Sequence, residues 1–142
     1  MRGTDESCAF LQKDGRCGIH EFRPGLCRLF PLGRDYDGTS FRYFIVENGC
    51  PLPDKAKVKI SSWLGVSDLS AYESFVSSWH YFTKELKERI AEMAKDPENG
   101  PEAVRRLNLQ VLNTVYGTPY DATKDFYKLF AMRLIHMRRA LK

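Results

Sequence analysis

The chain has 142 residues, 43% hydrophobic, 28% charged and 13% aromatic, which is enough for one domain with its own core. No apolar run approaches the roughly 18–20 residues of a membrane span, and no apolar segment follows Arg2 within residues 1–7, so no secretory signal is read there. The net charge of +4 is well short of the basic balance of a general nucleic-acid binder.

Four cysteines, Cys8, Cys17, Cys27 and Cys50, fall in the first 50 residues, and none follows. Thiols crowded into a turn-rich segment point either to a metal or cluster site or to disulfides. The expected reducing cytoplasm favours the metal. Asp14-Gly15, Asp37-Gly38 and Asn48-Gly49 are hairpin-type turns. A first hairpin about Asp14-Gly15 sets Cys17 opposite Gln12 and leaves Cys8 off the ladder. Phe41-Arg42-Tyr43-Phe44-Ile45-Val46 is aromatic and β-branched, a strand. Residues 26–32 are expected to pair back on it, bringing Cys27 and Cys50 together at the open end.

After Pro51 and Pro53 the pattern becomes helical. Asp54 can cap a short helix from Lys55 to about Leu64, stopped by Gly65. Ser67-Asp68 or Ser70 can cap a long helix running to Lys95. Its apolar stripe is Tyr72, Phe75, Val76, Trp79, Phe82, Leu86, Ile90 and Met93, at three- and four-residue steps. Pro101 suits the first turn of a third helix, ended by Gly117-Thr118-Pro119. Asp121 or Thr123 starts a last one, through Phe126, Leu129, Phe130, Leu134 and Met137. The fold class is therefore α+β, mostly α: an irregular Cys-rich β-hairpin cap on a bundle of about four helices. It forms a single domain, with a metal-binding segment at residues 1–53 and a helical segment at 54–142. Residues 124–142 carry six Lys or Arg against Asp125 alone. They are read as a solvated helix whose terminal cations suit its dipole.

The cysteine spacing is C-x8-C-x9-C-x22-C. Four soft thiolates suit tetrahedral Zn²⁺ or an iron–sulfur cluster. Zinc ribbons usually bring two ligands from one C-x2–4-C turn, and no such turn exists here, so the cluster is favoured. Arg23 and Arg28 flank Cys27 and can offset the negative charge of a thiolate site or donate to its sulfurs. His20 lies three residues after Cys17 and stands near the site as an ordinary polar residue, while His80 and His136 fall within helices. No Ser/His/Asp arrangement, phosphate loop, H-E-x-x-H or dinucleotide fingerprint is present.

Cys8-Ala9-Phe10-Leu11, Cys17-Gly18-Ile19-His20-Glu21-Phe22-Arg23-Pro24, Cys27-Arg28-Leu29-Phe30-Pro31 and Cys50-Pro51 together resemble one family. It is the YkgJ-type cysteine-cluster family, a zinc- or iron-chelating domain that includes flagellin lysine N-methylase relatives. The likeness covers about residues 8–51. His20 stands where the family more often has Tyr, and the chain lacks the C-x2-C-x3-C-C cluster that the family carries upstream. The resemblance implies metal binding by Cys8, Cys17, Cys27 and Cys50. Beside an iron–sulfur oxidoreductase-like role stand two alternatives, the first of them carried by the resemblance alone. The first is modification of protein lysines, with a protein as substrate or partner. The second is a non-catalytic helical interaction module with structural cysteines.

Overall fold

The computed structural model describes residues 7–49 and 56–141. Its described residues form a two-stranded antiparallel hairpin and five α-helices, a mostly α member of the α+β class. The chain divides into two compact units, Met1–Gly33 with Tyr43–Gly65, and Arg34–Arg42 with Val66–Lys142.

The first unit opens with a tight reversal. Gln12 N–H donates to the Arg16 carbonyl at 2.8 Å, Gly15 N–H donates to the Gln12 carbonyl at 3.0 Å, and Gly15 has φ +81°. This is a three-residue loop, Lys13-Asp14-Gly15, whose last residue needs the left-handed region that glycine enters freely. The expected two-residue turn is thus replaced by a longer one. The register shifts by a residue, and Cys17 pairs with Leu11 instead of Gln12. A 3-10 turn, His20–Phe22, leads to helix α1, Gly25–Leu29. Here the structure departs from the expected strand over residues 26–32. Leu26-Cys27-Arg28-Leu29 holds no β-branched residue, and Pro24 ahead of it pre-sets the entry to a helix. The Phe30–Pro31 peptide is cis, and strand β1 then spans only Leu32–Tyr36 before β2 at Phe41–Ile45.

Helix α2, Ile60–Leu64, ends at Gly65, whose φ of 64° lets its N–H reach back to the Ser61 and Ser62 carbonyls. Asp54 and Lys55, the expected cap and start, lie outside the described residues. Leu29 of α1 and Leu64 of α2 are buried, and the two helices pack together.

The hairpin contributes to both units, residues 32–33 and 43–45 to the first and 34–36 with 41–42 to the second. Its tip is tied to helix α3, Leu69–Met93. The Tyr36 ring stacks on His80 at 3.5 Å between centroids. Tyr81 accepts a hydrogen bond from Gly38 N–H (2.7 Å) and donates one to the Ser40 carbonyl (2.8 Å). Arg34 Nη2 donates to Tyr72 Oη at 2.6 Å.

Asp68 caps α3 by accepting from Ala71 N–H at 2.9 Å. Helix α4, Gly100–Leu112, carries Pro101 in its first turn and runs into a π-helical turn, Asn113–Gly117. Helix α5, Phe126–Ala140, is capped by Asp125, which accepts from Lys128 N–H. Asp121, one of the two expected caps, instead accepts from the Thr123 N–H and hydroxyl in a turn of its own, and Thr123 is spent there with it. The core of this unit is Phe82, Leu107, Val111, Val115, Phe130, Leu134 and Met137, with Phe75, Trp79, Leu86, Ile90 and Met93 packed around it.

Two consequences are testable. Gly100 is buried, and a Cβ there would press into the Met93 carbonyl. Gly100→Ala should therefore lower stability by about 1–3 kcal/mol in denaturant unfolding, as overpacking does, although alanine is the better helix former. Asp96 accepts from Asn99 N–H, from the Asn99 side-chain amide and from Glu98 N–H, which holds its carboxyl below the ordinary value. A depressed carboxylate stabilises the fold above its unfolded pKa of about 3.9 and loses that contribution as pH falls through the lower folded value. Acid titration of Asp96→Asn should show a shallower loss of stability below about pH 4 than the parent chain.

Candidate metal centre

Three of the four cysteines lie within the described part of the first unit. The Cys8 carbonyl accepts from Leu11 N–H at 3.0 Å, and this turn takes Cys8 off the short ladder that ends where Gly18 N–H donates to the Phe10 carbonyl (2.8 Å). Cys17 sits on the returning arm, half-exposed. Cys27 is exposed on α1, two residues before buried Leu29. At the hairpin's open end Val46 N–H donates to the Pro31 carbonyl at 2.9 Å. Cys50, expected to meet Cys27 near there, lies outside the described residues.

The donor chemistry fits a soft metal. Cys8, Cys17 and Cys27 are free thiols, so no disulfide joins them, and each is open enough to exchange its proton for a metal bond. Among the described residues no three His, Cys, Asp or Glu side chains gather into a group that could hold an ion. The three thiols are therefore present in one unit without being assembled.

The two arginines beside Cys27 have different surroundings. Arg23 Nε donates to the His20 carbonyl at 3.0 Å, closing the 3-10 turn. The Nη1 of Arg28 lies 3.7 Å from where a Cβ on Gly65, at the end of α2, would stand, and its Nε is buried with no hydrogen-bond partner. A buried N–H left unpaired costs about 1–3 kcal/mol, and this one belongs to the residue following a free thiol. Its approach to Gly65 could not be read from the sequence, where Gly65 shows only as a helix stop. His20 is exposed on its turn. His80 is occupied by its stack on Tyr36, and His136 is exposed on α5, both in the second unit.

Comparison with curated proteins and with solved structures gives no match. Residues 1–55 match a family model, however, and the match ends before the described helices α2–α5 begin. The family that the cysteine-bearing segment matches is CxxCxxCC, described as a "Putative zinc- or iron-chelating domain".

Proposed function

We propose that Cys8, Cys17, Cys27 and Cys50 hold one metal centre, an iron–sulfur cluster in preference to Zn²⁺, in a cytoplasmic protein with an oxidoreductase-like role. The observation that carries this reading is the trio of free thiols in the segment that matches a zinc- or iron-chelating domain. The preference for a cluster comes from the spacing, which offers no C-x2–4-C zinc turn. A bound cluster supplies one-electron transfer. The chain's own part is to supply the thiolates. Its arginines balance the negative charge that four thiolates bring. The unpaired Arg28 Nε is the donor best suited to a sulfur acceptor, since it has no other claim on it.

Anaerobic purification followed by metal and sulfide analysis tests the assignment. Iron with acid-labile sulfide and broad visible absorption is expected, and Cys27→Ser should lose most of both. Colourless protein carrying a single zinc per chain would replace the cluster with zinc. Metal-free protein without titratable thiols would end both assignments.

Arg28→Gln separates the role of the guanidinium from that of the thiols. It should weaken metal retention by about tenfold or more, the usual effect of removing a donor behind a ligand, as read by competition with a chelator. Unchanged retention would assign Arg28 to the packing of α1 and α2 alone.

A further inference from the structure

Hydrophobic burial is unevenly divided between the two units. The second has a seven-residue core. In the first, among the described residues, Leu29 and Leu64 are the buried hydrophobics. Its other large apolar side chains stay in water: Phe22 is 82% and Leu26 79% exposed, and Phe30, Ile45 and Val58 are more than half exposed. Two buried leucines cannot offset the conformational entropy of ordering several turns, two short helices and half a hairpin. Units this poor in core are held by disulfides or by metal, and the described cysteines here are free.

The placement of the thiols fits the second means. Along the chain they leave 8, 9 and 22 residues between neighbours, the last stretch including residues 34–42 of the second unit, so one centre holding all four would close three successive loops. The three described thiols are not gathered beforehand. Capturing an ion with them therefore requires the loops that carry them to move together, and the free energy of binding becomes free energy of folding.

We propose that metal binding is the folding event of the cysteine-bearing unit, and that the helical unit folds without it. This rests on the metal-binding reading above, and adds that the ion is what gives the first unit its order. Exposed Phe22 and Leu26, on the turn and helix between Cys17 and Cys27, are the side chains whose surroundings change most on loading.

The chain carries its own reporters, since its two tryptophans fall one to each unit: Trp63 on α2 in the first, Trp79 on α3 in the second. Full-length Trp79→Phe and Trp63→Phe each leave one signal. Both are stripped of metal under reducing conditions and titrated with Zn²⁺, with bound zinc measured directly. Denaturant unfolding is then followed by fluorescence. At free Zn²⁺ about a hundredfold above Kd, the folded-to-unfolded ratio reported by Trp63 should rise about a hundredfold, while the Trp79 midpoint stays in place. In the unsubstituted chain, Zn²⁺ should slow tryptic cleavage after Arg16 and Arg28 and leave cleavage after Lys84 and Lys87 unchanged. Zinc bound with an unmoved Trp63 curve and unchanged cleavage overturns this proposal alone. Zinc that shifts both tryptophan curves equally overturns the independence of the helical unit. If neither Zn²⁺ nor a reconstituted iron–sulfur cluster binds, this proposal falls together with the metal-binding reading.

Discussion

Phe82 is wholly withdrawn from solvent, and the organisation of the helical unit follows from the need to surround it. Helix α3 brings it in on a stripe with Phe75 and Trp79, α4 covers it with Leu107 and Val111, and α5 closes the remaining side with Phe130, Leu134 and Met137. The rings meet at angles that suit aromatic quadrupoles: Phe75 stands edge-on to Phe130 at 4.6 Å, and Trp79 edge-on to Phe130 at 5.9 Å. For α4 to follow α3 so closely its first residue must pass the Met93 carbonyl without a side chain, which is why Gly100 begins it.

The cations of the last helix serve this packing as much as solubility. The Nη1 of Arg133 donates to the Thr114 and Thr118 carbonyls, its Nη2 donates to the Pro119 carbonyl, and its guanidinium lies 3.6 Å from the Tyr120 ring centroid. Where α4 widens into a π turn and stops, Arg133 thus takes up the Thr114 carbonyl, while the Tyr120 hydroxyl donates to the Val115 carbonyl and the Thr118 hydroxyl to that of Asn113. Arg138 makes a two-point contact with Glu85 of α3. A terminal stretch read as a solvated helix whose cations suit its dipole therefore spends two of its arginines on contacts within the unit.

The helices were legible because their signals are local and repeated. Asp68, Pro101 and Gly65 mark helix boundaries where such residues ordinarily do, and the stripe through Phe75, Trp79 and Phe82 has a period no strand shares. The cysteine segment was less legible, for physical reasons. Its turns differ from one another by a single residue, so the Gly15 loop could be placed but its register could not, and Cys17 moved from Gln12 to Leu11. The segment containing Cys27 holds too few residues for periodicity to separate helix from strand. Asp121 and Asp125 have equal capping chemistry, and only the hydrogen bonds of Thr123 decide between them. At the candidate site the identity of the thiols was plain from the chain. The unpaired Nε of Arg28 was not, because it depends on packing between two helices distant in sequence.

The Phe44 ring lies over Gly33 so closely that any Cβ at that position would enter it, while Asp35 and Arg42 form an ion pair at 3.3 Å further along the same strands. Together these marks leave the hairpin a single alignment. Sliding one strand by a residue would bring Leu32 or Arg34 beneath the ring, where neither fits, and would turn every side chain to the opposite face. The ion pair is too exposed to enforce this alone, so the missing side chain of Gly33 acts as the keyway that lets only one pairing of these strands close.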